Sequence, residues 1–173
     1  MDLRKHLHDV LYARVLPCLA VVTAVLWARA EQHGLTAVDL VVALVLLGLA
    51  TLPFFALERR ISVRSLVAAT VIVDIALITG GIALAGWAVS AVAVLYVWPI
   101  MLAGAFLPSW APYAAAAVAA GAYISVLRLQ ESDALSSLVG PSQPAPPEWA
   151  ATTAALHVAA FLIVALLSGR LAA

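Results

Sequence analysis

The chain has 173 residues, of which 65% are hydrophobic and 10% charged, and its mean hydropathy is +1.09. Soluble globular chains carry about 45–50% apolar and about 25% charged residues, so this composition excludes a water-soluble enzyme and reads as an integral membrane protein. Nine Lys and Arg balance nine Asp and Glu, which leaves no basic field for nucleic acid and no acidic one for cationic partners.

Six apolar runs follow one another, each near the 20 residues that a helix rising about 1.5 Å per residue needs to cross about 30 Å of hydrocarbon. The reading is an all-α integral membrane protein, a bundle of six transmembrane helices in the lipid bilayer. Residues 1–10 are an amphipathic start with Arg4, Lys5, His6 and His8. They are charged like the front of a signal peptide, but the run behind them is too long and lacks a small-residue cleavage site, so they are read as retained.

Span 1 covers about 11–28, with Arg14 near enough to its end to snorkel, Trp27 at the far interface, and Pro17 either bending the helix or marking its start. Cys18, the one cysteine, reads as a small buried hydrophobe with no companion for a disulfide or a thiolate metal site. After a polar connector, span 2 covers about 36–57, and the capping-box spacing from Thr36 makes Asp39 a cap. Glu58, Arg59, Arg60 and Arg64 form the most basic loop.

Span 3, about 65–83, carries Asp74 near its midpoint and is followed by a tight turn from Gly80 to Gly86. Span 4, about 87–107, contains Pro99, whose missing amide is expected to kink it. Span 5, about 112–127, repeats Ala117, Gly121 and Ser125 every four residues, a line of small side chains expected to bring a neighbouring backbone close and make this helix central to the packing. Residues 128–148 are a loop rich in Ser, Pro and acid. Pro147, Glu148 and Trp149 open span 6, about 149–168. Seven of the nine Lys and Arg fall on one side of this arrangement, so both termini are expected in the cytoplasm and the 128–148 loop outside.

An ionisable side chain in hydrocarbon costs about 2.5–3.5 kcal/mol on insertion scales, so Asp74 is expected to face the protein interior and find a partner there. It shares a helix face with Thr70 and Gly81. His157, the other titratable side chain well inside a span, shares one with Thr153, Phe161 and Ser168; a direct or water-bridged pair with Asp74 is open, and so is a Thr, Tyr or backbone carbonyl partner. Three roles stay open for Asp74: an interhelical hydrogen bond, a signalling or ligand switch, and a proton or ion path. Tyr96 and Trp98, just before Pro99, are candidates for lining a pocket, while Trp87, Trp110 and Trp149 read as interfacial anchors. Two residues do not make a metal site, and no phosphate loop, zinc-protease helix or nucleophile elbow occurs, so no metal or cofactor is assigned to this chain.

The phrases VDIALITGG in span 3, WPIMLAGAFLPSW across the turn between spans 4 and 5, and HVAAFLIVALLSGRLAA at the end resemble the six-helix membrane input region of PilS-type and NtrB-like sensor histidine kinases. The resemblance covers nearly the whole chain. In that family the last membrane helix ends in a phrase close to FLLVALLSGYLA, matched here by Phe161 to Ala172, and continues into a coiled-coil linker, often a PAS domain, and then dimerisation and ATP-binding kinase domains. Many relatives follow the double glycine with Ser and Pro or Asn, where this chain has Ile82, Ala83, Leu84, Ala85 and Gly86.

The resemblance implies a homodimeric sensor module of a two-component system in a bacterial inner membrane, without catalysis of its own. ATP and Mg would bind a kinase domain outside this chain, and a response regulator would be the partner downstream. The signal would be extracytoplasmic or intramembrane, a membrane protein among the options. Gly80, Gly81, Pro99, Ser168 and Gly169 are then the expected hinge and transmission points. The alternative is a small substrate-binding membrane protein like the S-components of vitamin transporters, and a third reading is an assembly subunit with no ligand.

Overall fold

The computed structural model describes residues 12, 14–34, 36–37, 40–41, 43–45, 47–48, 51, 54, 61–85, 87–132 and 147–171. The architecture is all-α, with six helices delimited among these residues: α1 (Val15–His33), α2 (Val63–Ala85), a 3-10 segment (Trp87–Tyr96), α3 (Val97–Phe106), α4 (Ala111–Glu131) and α5 (Pro147–Leu171). Three stretches, Val63–Leu84, Ala111–Gln130 and Ala151–Arg170, are long and apolar enough to cross a membrane. The described positions between 37 and 54 are helical as well. Residues 1–10, the cap at Asp39, Glu58, Arg59 and Arg60 of the basic loop, loop positions 133–146, and the side chains of Trp87 and Trp149 lie outside the described residues.

Pro17 marks the start of α1. It stands third in the helix, where an amide has no intrahelical partner to serve, and Arg14 becomes the residue in front of the first turn. At its other end α1 runs past the expected position 28 to His33. The Trp27 indole donates to Glu31 one turn on, at 2.7 Å. The helix stops at Gly34, whose φ of 76° and ψ of 151° are open chiefly to glycine.

The expected turn at the double glycine is absent, because α2 carries straight through Gly80 and Gly81 to Ala85. Gly81 serves packing instead: a Cβ there would lie 2.6 Å from a Val21 methyl, so its bare backbone admits α1. Span 4 also departs from the continuous kinked helix expected of it. It divides into the 3-10 segment and α3, and Pro99 is the third residue of α3, so the proline restarts an α-helix instead of bending one. The start of α5 at Pro147 is where proline and acid in a first turn place it.

The small-residue line on α4 faces away from the protein. Ala117, Gly121 and Ser125 are exposed, and a Cβ on Gly121 would meet nothing within 4 Å. Ala115, Ala116, Ala119, Tyr123 and Val126 form the buried side. The central helix is α2, with 50% of its apolar window buried against 33% in α4 and 11% in α5. Its Leu66, Val67, Val71, Ile75, Ile78 and Ile82 fill the core, and aliphatic side chains of that size bury more apolar area than the alanines of α4. The helix α4 runs to Glu131, beyond the expected 127. There the Gln130 side-chain amide donates to the Ile82 carbonyl at 3.1 Å, one of the last four carbonyls of α2 that lack a helical partner.

Contacts fix the relative directions. Arg14 meets Asp74 and Val21 meets Gly81 at the same offset of 60 positions, so α1 and α2 run parallel. Between them, Ala43 lines the same crevice as Gly80 and Leu84, and Phe54 lies against Arg14, which makes the intervening segment run the opposite way. Tyr123 meets His157 and Tyr113 meets Gly169, so α4 and α5 are antiparallel, while Gly104 against Ser168 and Tyr96 against Phe161 make α3 and its 3-10 lead parallel to α5.

Candidate functional site

Asp74 has its partner, and it is Arg14. The Arg14 Nε donates to Asp74 Oδ1 at 2.6 Å, and Nη2 stands 2.5 Å from the same oxygen. Both side chains are almost fully buried, at 2% and 5% exposed. The guanidinium carbon lies 4.2 Å from the centre of the Phe54 ring, which gives the cation a second attractive contact. Since Asp74 lies near the centre of the Val63–Leu84 stretch, Arg14 is held level with the middle of that candidate span and not near an end, where the expected snorkelling would place it. The position of Pro17 explains the difference: it starts α1 at Val15, with Arg14 level with Asp74 one turn below Cys18.

The pair is incompletely satisfied. Nη1 of Arg14 and Oδ2 of Asp74 are buried without a hydrogen bond, and so is the Trp98 indole nitrogen. Asp74 and Trp98 together line a cavity of about 10 Å3 with Pro17, Cys18, Leu77 and Ile78. Three polar atoms without partners near one ion pair make its balance sensitive to anything that supplies a donor or acceptor there.

Thr70 shares the buried face of α2 with Asp74 as expected, but its hydroxyl donates to its own helix, to the Leu66 carbonyl at 2.8 Å. His157 is remote from Asp74 in bonding. Its Nδ1 lies 2.9 Å from the Thr153 carbonyl and 3.4 Å from the Tyr123 hydroxyl. Tyr96 belongs with it: Tyr96, Tyr123, His157 and Phe161 form a cluster of edge-on and tilted rings with centroids 5.2–6.5 Å apart. The Tyr96 hydroxyl is bonded at 2.6 Å to Thr79, whose own hydroxyl donates to the Ile75 carbonyl. The expected polar cluster thus divides into a charged pair between α1 and α2, flanked by Trp98, and an aromatic group joining the 3-10 segment to α4 and α5.

Of the expected hinge positions, Pro99 is buried at the start of α3, and Ser168 and Gly169 stand at tight contacts of α5 with α3 and α4. A Cβ on Gly104 would lie 2.5 Å from that of Ser168, and one on Gly169 would lie 2.8–3.0 Å from the Tyr113 ring. Gly80 borders a larger crevice between α1 and α2, of about 360 Å3. No group of three metal-ligating side chains occurs among the described residues.

The sequence reading missed Arg14 as partner, Phe54 beneath it, and Thr79 and Tyr123 as the hydroxyls of the second cluster. A charge count inside the spans carries the signal for Arg14: it is the only basic side chain embedded in an early apolar run, and Asp74 is the only acid embedded in a later one. Comparison with protein-family models, with curated proteins and with solved structures finds no match to this chain.

Proposed function

We propose that this chain is the membrane input module of a two-component sensor histidine kinase, crossing the membrane six times with both termini in the cytoplasm. The alternating directions of the described helices support that topology, and so does the sequence excess of Lys and Arg on one side of the six expected spans. The observation that carries the functional reading is the Arg14–Asp74 pair. It is a buried ion pair with unsatisfied atoms on both partners, set where the first and third crossings meet. In this reading a signal that supplies a partner to the unsatisfied atoms shifts the pair and, with it, the packing of α1 against α2.

The helix α5 suits the output. It is the least buried of the three long apolar helices, and near its end it touches α3 and α4 through Gly104, Ser168 and Gly169, small contacts over which a helix slides with little interlocking. Its closing phrase is the one that resembles the last membrane helix of these kinases. In this reading the module forms a homodimer and binds no cofactor of its own, with ATP, Mg and the response regulator engaged by kinase domains beyond residue 173.

The test is autophosphorylation of the natural gene product in membranes. The reading expects phosphoryl transfer from ATP to a histidine in a domain encoded in frame after codon 173, with Asp74→Asn changing its basal or signal-dependent level. A stop codon there, or a variant equal to wild type in both levels at normal expression, contradicts it. The second reading, a substrate-binding protein like a vitamin-transporter S-component, draws on the 360 Å3 crevice between α1 and α2.

A further inference from the structure

We propose that the crevice between α1 and α2 holds one acyl chain of an anionic bilayer phospholipid, with the lipid phosphate on Arg29. Its volume of about 360 Å3 falls in the range of small-molecule sites, about 300–1,000 Å3. Val21, Val25, Leu77 and Leu84 line it with Gly80, and Ala43 closes the side nearest the second crossing. Every described side chain around it is aliphatic except Arg29. A polar solute such as a sugar or vitamin needs several fixed hydrogen-bonding groups, and this slot offers one cation.

The depth of that cation is what selects a lipid. From Val21 to Arg29 the slot follows α1 for about 12 Å, from the level of Gly81 to beyond that of Leu84, the last residue of the candidate span on α2. Trp27 and Glu31, on either side of Arg29 in sequence, form an exposed hydrogen-bonded pair, and an exposed indole with a polar tip is the side chain of the headgroup layer. Arg29 itself is half-buried and makes no ion pair or hydrogen bond among the described residues. An apolar slot that begins in hydrocarbon and ends in an unpaired guanidinium at headgroup depth matches an acyl chain joined to a phosphate, for which arginine supplies paired donors.

Gly80 keeps the slot open. A Cβ there meets nothing within 4 Å, whereas the neighbouring Gly81 is already filled by Val21. A side chain at position 80 therefore starts into the slot with open space around its Cβ. The site rests on α1 and α2 standing in a membrane and is independent of the kinase reading, so the isolated chain serves for its test and failure of one leaves the other standing.

The experiment measures lipid retention by native mass spectrometry and the thermal midpoint of the chain in neutral detergent, with phosphatidylglycerol, phosphatidylcholine or inorganic phosphate added. Phosphatidylglycerol is expected to remain bound one per chain and to raise the midpoint by about 5 °C, the other two leaving it unchanged. Arg29→Gln abolishes the preference and Arg29→Lys keeps it, which separates charge from fold. Gly80→Leu abolishes retention while the lipid-free midpoint stays within about 2 °C of wild type. Equal shifts from both lipids, undiminished phosphatidylglycerol in Arg29→Gln, or a co-purifying non-lipid solute in the slot overturns the proposal.

Discussion

Arg14 and Asp74 are each expensive to bury, and each reduces the cost of burying the other. Removing one partner from such a pair leaves an uncompensated charge and costs about 3–5 kcal/mol, whereas replacing both by apolar residues of similar size is often neutral. Arg14→Met and Asp74→Leu are therefore each expected to destabilise the purified chain by about that amount in a mixed-micelle unfolding titration, and the double variant to recover most of the loss. A double variant that falls by the sum of the singles contradicts the pairing. The need of Asp74 for a partner was legible in its depth and in the small, polar face it shares with Thr70 and Gly81. The identity of the partner was not, because the two residues are 60 positions apart and helical periodicity reports a face, never the residue it meets. The long stem of arginine also allowed two destinations, the interface or the core, and the start of α1 beside Pro17 decides between them.

At the scale of elements, single glycines mark places where helices meet with no room for a methyl group. Gly104→Ala places a methyl 2.5 Å from Ser168 Cβ and 3.2 Å from the Ser168 carbonyl carbon and oxygen, where backbone must give way. It is expected to cost about 1–3 kcal/mol, beyond the roughly 1 kcal/mol that alanine returns in helix propensity. For Gly169→Ala the three nearest atoms all belong to the Tyr113 phenol, an exposed side chain able to swing aside, so it is expected to be neutral or slightly stabilising. Unfolding midpoints of the two variants check the contrast, and equal losses would mean that α5 is held by something other than the contact of Gly104 with Ser168. The small residues misled at Ala117, Gly121 and Ser125 for a physical reason: lipid tails accommodate a shallow helix face as readily as another helix does, so spacing alone does not say which solvent it meets. Pro99 was legible as a perturbation of span 4. Its effect, a change of helix type at Val97, depends on how the 3-10 segment packs against α2 through Tyr96 and Thr79, which no local pattern encodes.

For the whole molecule, the distribution of side chains is the reverse of a soluble protein at its most telling positions. A salt bridge is buried at the centre, while Leu156, Leu162, Ile163, Leu166 and Leu167 of α5 stand on the outside. An exterior of that kind suits lipid and not water. The proposed switch at the charge pair and the proposed output through α5 depend on one arrangement, alternating crossings that would bring the α3–α4 turn to the cytoplasm and the end of α4 to the other side. Single-cysteine labelling tests it directly. Cys18 is 2% exposed and is replaced by serine, and Ser109 in the turn and Ser132 after α4, both exposed, are changed to cysteine one at a time. With a membrane-impermeant maleimide on intact spheroplasts, Ser132→Cys is expected to label at once and Ser109→Cys only after the membrane is opened. Labelling of both from the same side, or of Ser109→Cys alone from outside, contradicts the topology on which the proposed switch stands.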